Sequence, residues 1–222
     1  MEIDIIVPEG LHDIKLEQYQ KFIALKSEDE LFLSQKAVEI FCNVPLILVD
    51  KMSYNDVRQI SARLFSYFNQ KPELIIKKKH GGKKFAFVPN LERITLGEFT
   101  DIDSNIKDWR NMHRVMAVLY RPIVKEVGDY YEIEEYDGTD KYAELMLSMS
   151  LDVVLGSLVF FYRLGIDLSV AMGRYLEDQT PTTSAQRRTL IENGDGTEVF
   201  MRSLAGALQS LKGLVDSPSI PH

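Results

Sequence analysis

The chain has 222 residues, of which 45% are hydrophobic and 27% are charged, and this composition is typical of a globular protein. Its net charge of −7 argues against general affinity for a nucleic-acid backbone, so such a contact is open only to a local basic patch. The single cysteine, Cys42, lies in an apolar helical pattern and is expected to be a buried thiol. Because a disulfide framework or a zinc site needs more cysteines, the count argues against both.

A phrase near the start of the chain occurs a second time. Residues 7–19 read VPEGLHDIKLEQY, and residues 88–99 read VPNLERITLGEF. After one gap, four apolar positions match at a constant offset of 80: Leu11, Ile14, Leu16 and Tyr19 with Leu91, Ile94, Leu96 and Phe99. Each copy follows a β-rich run, Glu2–Val7 or Lys84–Val88. The phrase predicts a strand, a proline, a turn and a helix start, with both strands in one sheet.

Three helices are predicted before residue 70. The first covers Leu16–Leu25. The second begins at Ser27, where Glu30 three residues later completes a capping-box pattern, and runs to about Phe41. The third begins at Ser53 and places its apolar residues at helical spacing.

A lysine-rich hairpin follows. The runs Leu74–Lys79 and Lys83–Val88 are β-rich and flank the turn signal His80-Gly81-Gly82. Five of the eight residues at its tip are lysines, and they suit a phosphate or an acidic partner surface. The simpler interpretation is a solvated tip whose lysines keep the sheet edge from pairing wrongly. We favour it over nucleic-acid binding, because no aromatic residues alternate with the lysines to stack on bases.

The middle of the chain predicts one helix and one strand. The helix covers Ile106–Tyr120, with Asp103, Ser104 or Asn105 as its N-cap, and Pro122 ends it. The strand covers Asp129–Tyr136, and Asp137-Gly138 marks a turn after it. Arg121 is expected to pair with an acidic residue of this strand, within the chain or across a subunit contact. These acidic residues are Glu132, Glu134 and Glu135.

From Asp140 onward the strand signals stop. Tyr142–Met149 and Leu151–Leu176 have helical periodicity, residues 178–198 are polar and typical of a loop, and Phe200–Val215 predicts an amphipathic helix. The run Val153–Tyr162 has ten residues where a bilayer needs about 20, so we predict a core helix and no membrane contact. The N-terminus lacks a secretory-signal pattern, which favours assembly in a cytosol.

These elements predict an α+β fold that is mainly helical, with a small antiparallel sheet and a helical C-terminal part. We divide the chain into an α+β core at 1–138, a helical part at 139–177, a polar loop at 178–198, and an amphipathic helix and tail at 199–222. No nucleophile, metal-ligand or phosphate-loop pattern occurs, so we predict no catalytic, cofactor-binding or metal-binding residues and no enzyme activity. Glu98 and Asp101 are the carboxylates that an enzyme hypothesis would use.

Five phrases in order carry a family resemblance: VPEGLHDIKLEQYQKF, FVPNLERITLGEFTDID, HRVMAVLYRPI, YEIEEYDG and VVLGSLVFFYRLG. Over about residues 1–176 the chain resembles proteins encoded in the structural gene blocks of tailed bacteriophages, in particular crAss-like and other phages of Bacteroidetes hosts. The resemblance implies a virion component assembled in the host cytoplasm, such as a ring or adaptor subunit of the head-to-tail connector or tail. It implies contacts with copies of itself and with portal or tail proteins. A non-virion tail-assembly chaperone is the alternative, and a small phage enzyme is a third.

A ring needs two different surfaces that meet between neighbouring copies. The basic hairpin and the acidic strand have opposite charges and are the expected pair. The final helix suits contacts with other structural proteins. The predicted interface residues are Lys77, Lys79, Lys83, Lys84, Arg121, Glu132, Glu134, Glu135, Phe200, Leu204, Leu208 and Leu211.

Overall fold

The computed structural model describes residues 5–70, 72–91, 94–161 and 163. In chain order its elements are α1 (Leu16–Ile23), α2 (Glu30–Phe41), α3 (Leu46–Val49), α4 (Tyr54–Phe68), β1 (Lys77–His80), β2 (Lys83–Phe87), α5 (Leu96–Asn105), a 3-10 helix (Trp109–Asn111), α6 (Met112–Leu119), β3 (Tyr120–Val127), β4 (Tyr130–Ile133), α7 (Asp140–Met146) and α8 (residues 151–161). The predicted α+β, mainly helical class with a small antiparallel sheet is confirmed. The loop predicted at 178–198 and the helix predicted at Phe200–Val215 lie outside the described residues.

Short polar side chains cap α2 and α4 at their N-termini. Ser53 starts α4 as predicted, because its Oγ accepts a hydrogen bond from the backbone N–H of Asp56 at 3.1 Å. The prediction for α2 was two residues early. Its N-cap is Asp29, whose carboxylate accepts from the backbone N–H groups of Leu31 and Phe32 at 2.9 and 3.0 Å. Ser27 supports this cap from outside the helix by accepting from the N–H of Asp29.

The repeated phrase does form the same local structure twice. In each copy a turn closes between equivalent residues, from the N–H of Ile14 to the carbonyl of Leu11 and from the N–H of Ile94 to the carbonyl of Leu91, both at 3.3 Å. The helices α1 and α5 then begin at Leu16 and Leu96, again at equivalent positions. The phrase is therefore a helix-starting unit.

The first copy is joined by backbone hydrogen bonds to a part of the chain that is distant in sequence. The backbone N–H of Leu16 donates to the carbonyl of Met149 at 2.9 Å, and the N–H of Leu151 donates to the carbonyl of Ile14 at 2.8 Å. The predicted strand Glu2–Val7 does not extend over the described residues 5–7, where no strand forms. Both sides of β2 are occupied by β1 and β3, so no place beside β2 remains for residues 5–7.

The sheet has four antiparallel strands in the order β1-β2-β3-β4. Phe87 on β2 contacts the rings of Phe160 and Phe161 on α8, with centroids 5.6 and 5.8 Å apart. Arg121 on β3 points to the opposite face and reaches α5. The sheet therefore lies between α8 on one face and α5 on the other.

The strand β3 contradicts the predicted helix end at Tyr120-Arg121-Pro122. The helix α6 ends at Leu119, and Tyr120 already begins the strand. Because a proline pushes the preceding residue into extended geometry, Arg121 continues as a strand instead of only ending a helix. The carbonyl of Pro122 accepts a hydrogen bond from the N–H of Glu134, which holds this part of β3 in the sheet.

The single helix predicted over Ile106–Tyr120, with its N-cap at Asp103, Ser104 or Asn105, is also wrong. Those three residues end α5, which Thr95 caps, and a break precedes the 3-10 helix and α6. The carboxylate of Asp108 causes this restart, since it accepts a hydrogen bond from the N–H of Arg110 at 2.9 Å.

One hydrophobic core unites elements from both ends of the described chain. Its members include Leu16 of α1, Leu64 of α4, Phe85 of β2, Met116 of α6 and Leu151 of α8, all fully buried. Burial of a side chain of this size contributes about 1.5–3 kcal/mol. The residues after Gly138 thus pack into the same core as those before it. Cys42 is buried there as predicted, and burial raises the pKa of its thiol to about 11.

Candidate assembly interface

The basic hairpin forms as predicted. β1 and β2 pair from Lys77 opposite Ala86 to His80 opposite Lys83. Gly81 and Gly82 at the tip have φ angles of +51° and +77°, a conformation that glycine adopts without strain. The four lysines predicted for the interface are exposed, and they are Lys77, Lys79, Lys83 and Lys84.

Two of these lysines are held by a carboxylate of the same chain. Lys77 Nζ and Lys84 Nζ each lie 3.0 Å from an oxygen of Glu126 on β3. Hydrogen bonds from Lys84 and Lys77 lower the pKa of Glu126 below its usual range. Lys77 Nζ also lies 5.2 Å from the ring centroid of Tyr131. These two lysines therefore bind the basic hairpin to the acidic half of its own sheet.

The acidic residues of the predicted strand are also engaged within the chain. Glu132 accepts hydrogen bonds from Tyr130 at 2.8 Å and from Lys125 at 3.3 Å, and these bonds lower its pKa. Glu134 accepts from Lys141 and from Tyr142, which lower its pKa in that order. The acidic strand is thus a set of local pairs, partly neutralised by its own chain.

Arg121 does not pair with Glu132, Glu134 or Glu135, and the prediction that it does is wrong. Its guanidinium Nη2 lies 2.5 Å from Oε1 of Glu98, and the side chains are only 10% and 5% exposed. The guanidinium also lies 5.7 Å from the ring centroid of Tyr136. Arg121 faces α5, so it is an internal residue that joins the sheet to a helix and cannot serve a subunit contact.

Glu98 and Asp101, the carboxylates of the enzyme hypothesis, both have structural partners. The second oxygen of Glu98 accepts hydrogen bonds from the backbone N–H and the hydroxyl of Thr95, at 2.7 and 2.8 Å, and completes the capping box of α5. Asp101 accepts a hydrogen bond from the Tyr136 hydroxyl, and burial together with this bond raises the pKa of that tyrosine. The bonds of Glu98 therefore cap α5 through Thr95 and join α5 to the sheet through Arg121.

The hairpin tip contacts the last turn of α7 and the residues just after it. Nε2 of His80 lies 2.9 Å from the carbonyl oxygen of Leu145 and 3.1 Å from Oγ of Ser148. A Cβ on Gly81 would lie 2.6 Å from a methyl group of Leu145. The tip and the Glu126 pairs together fix the hairpin, so its remaining lysines project from a rigid base.

Two of the hairpin lysines have free ammonium groups within the part of the chain that the structure describes. The side chains of Lys78 and Lys79 make no hydrogen bond, ion pair or ring contact there, whereas Lys83 Nζ lies 5.4 Å from the ring centroid of Tyr142. On the acidic side, the side chains of Asp129 and Glu135 likewise make no hydrogen bond or ion pair in the described residues. These four side chains are available to an outside partner. The apolar interface candidates Phe200, Leu204, Leu208 and Leu211 lie outside the described residues.

The predicted elements lack β3, which carries Glu126, and they assign no structural role to Glu98, although the repeated phrase predicts the helix start at Leu96. The run Ile123-Val124 before Glu126 is β-branched, which is a strand signal. The pair Thr95 and Glu98 has capping-box spacing, the same signal that was assigned to Ser27 and Glu30. The strand that carries Glu126 and the capping role of Glu98 could therefore both have been predicted from local sequence signals.

A groove of about 270 Å³ lies between α2 and α4. Apolar Leu31, Val57 and Phe65 line it together with charged Glu30 and Arg58. Across the described ranges, no helix has the length and apolar character to cross a membrane, and no cluster of three or more His, Cys, Asp or Glu could hold a metal ion.

Comparisons of the chain with protein-family models, with curated proteins and with solved structures return no match.

Proposed function

We propose that the chain is a structural component of a tailed-phage particle, a ring or adaptor subunit of the head-to-tail connector or tail. Its partners are copies of itself and neighbouring portal or tail proteins, and it has no catalytic role. The family resemblance of residues 1–176 supports the phage assignment, and the sheet supports the assembly role.

The observation that carries the proposal is the separation of charge across the sheet. Residues 77–84 hold five lysines at one edge, and residues 129–137, which include β4, hold five carboxylates and no lysine at the other. A closed ring uses a heterologous contact, in which one surface of each copy meets a different surface of the next. Opposite charges at opposite edges are suited to such a contact.

Mass spectrometry of purified particles tests the proposal. We expect the chain in finished particles, in a copy number that is a fixed multiple relative to the portal protein. Absence of the chain from particles that contain the portal and tail proteins would overturn it.

A non-virion tail-assembly chaperone is the second candidate, and the groove between α2 and α4 favours it. Grooves between helices bind amphipathic helices of partner proteins. A chaperone predicts the opposite result in the same experiment: the chain co-purifies with tail proteins from the infected cell and is missing from the particles.

A further inference from the structure

Both edges of the sheet are open in the described part of the chain. β1 has a neighbour only on the side of β2, and β4 has one only on the side of β3. An edge strand presents backbone N–H and C=O groups that can pair with another strand. The edges are short, with four residues each.

The strand directions allow the two edges to meet. The sheet has four strands and each neighbouring pair is antiparallel, so β1 and β4 run in opposite directions. If a second copy lies beside the first in the same orientation, its β1 is antiparallel to β4 of the first copy. The sheet then continues across the boundary with the same alternation, and its α8 and α5 faces stay on the same sides.

The hydrogen-bond pattern shows which groups of β1 point outward. The N–H of Phe87 donates to the carbonyl of Ile76 at 2.9 Å, which makes these residues a hydrogen-bonded pair. Hydrogen-bonded and non-hydrogen-bonded pairs alternate along an antiparallel ladder. Lys78 and Phe85, two positions further along, are therefore again a hydrogen-bonded pair, with the N–H and C=O groups of Lys78 directed toward β2. Lys77 and Lys79 therefore direct their N–H and C=O groups to the open side.

Side-chain charge selects between the ways in which edges can pair. β1 against β1 would bring lysines together, and β4 against β4 would bring glutamates together, and like charges opposite each other are destabilising. The contact of β1 with β4 brings Lys78 and Lys79, free within the described part of the chain, toward the carboxylates of the acidic edge. We propose that copies of this chain join head to tail through this contact, with β1 of one copy extending the sheet of the next beside β4. This inference rests on the proposed ring function.

Charge reversal at the four free side chains tests the contact by sedimentation velocity over a concentration series. Lys78→Glu with Lys79→Glu, and separately Asp129→Lys with Glu135→Lys, should each weaken self-association by about tenfold or more. A chain that carries all four changes should regain it, because both edges are then reversed. The matched control is Lys26→Glu with Lys51→Glu, two exposed lysines outside the sheet, which should leave association unchanged.

A second variant tests the backbone pairing. Lys79→Pro removes an outward N–H and leaves the β1–β2 hydrogen bonds intact, so it should abolish association without a matching loss of thermal stability. Wild-type protein that stays monomeric at every concentration, or reversals that act no more than the control, would overturn the edge contact. If the chain is present in particles but the reversals have no effect, this inference alone fails. If the four-change rescue works but the chain is absent from particles, the proposed function alone fails.

Discussion

The side chains of Arg121 and Glu98 join the sheet to α5 while buried from solvent. One carboxylate oxygen of Glu98 contacts the guanidinium and the other caps the helix through Thr95. Nε of Arg121 is buried with no hydrogen-bond partner, so the pair does not satisfy every polar atom it buries. A buried ion pair adds little over an apolar pair, but loss of one member leaves the other charge uncompensated.

Arg121→Met should therefore lower the free energy of unfolding by about 3–5 kcal/mol, measured by urea denaturation. Adding Glu98→Gln should recover part of this loss, because glutamine keeps the capping box without a buried charge. A loss below about 1 kcal/mol for Arg121→Met would show that the pair is not buried as described.

Gly156 allows the closest approach between α8 and the segment before β1. A Cβ at this position would lie 2.3 Å from the carbonyl oxygen of Glu73, a backbone atom that cannot rotate away. Gly156→Ala should lower the melting temperature and cost about 1–3 kcal/mol. Gly97→Ala is the matched control, since its Cβ would lie 3.9 Å from the nearest atom and alanine favours a helix. Equal stability of the two variants would contradict this packing.

At the level of elements, the two copies of the repeated phrase share a local structure and differ in packing. Leu16 and Leu96 both open a helix, but Leu16 is 0% exposed and Leu96 is 82% exposed. The first copy is bonded to the segment after α7, and no equivalent bonds hold the second copy in the described part of the chain.

Leu16→Ala should accordingly cost about 2–5 kcal/mol, while Leu96→Ala should change stability by less than about 0.5 kcal/mol. Thermal or urea unfolding of both variants gives the comparison directly. A similar cost for the two substitutions would mean that Leu96 is covered in the native protein.

Glu126 on β3, Glu132 on β4 and Glu134 just after β4 give the contacts of the sheet a pH dependence. Their lysine and tyrosine partners lower the pKa values of Glu126, Glu132 and Glu134 in the folded state. The stabilisation is therefore present above the ordinary glutamate pKa and is lost as the pH falls through the lowered values. We expect the protection of the β1 amides, which is the intrinsic exchange rate divided by the measured rate at the same pH, to fall on acidification. Glu126→Gln should remove most of this fall, and an unchanged response in that variant would contradict the assignment.

Local signals in the sequence predict much of this fold, and the failures have a common cause. The hairpin at Gly81-Gly82 and the start of α4 at Ser53 follow from turn and cap chemistry that acts over a few residues. β3 was missed because Pro122 was interpreted as a helix stop, although Ile123 and Val124 after it are β-branched. The Arg121–Glu98 pair spans 23 residues and depends on β3 and α5 meeting, which no local pattern encodes.

At the scale of the whole molecule, the sheet is basic at the β1 edge and acidic at the β4 edge. Glu126 joins the two charged halves through Lys77 and Lys84, and it leaves Lys78 and Lys79 at one edge and Glu135 near the other. Copies of a molecule with complementary edges join head to tail, and a suitable rotation between neighbouring copies closes the assembly into a ring. The net charge of −7 limits non-specific association outside that contact.

An electron cryo-microscopy map of the particle is the most direct test of the ring proposal, because it shows presence, symmetry and contacts together. We expect a ring at the head-to-tail connector or in the tail, built from copies of this chain, with β1 of each copy beside β4 of the next. A map in which the chain is absent would contradict the ring proposal, and a ring whose copies meet through surfaces other than the two sheet edges would contradict the edge contact.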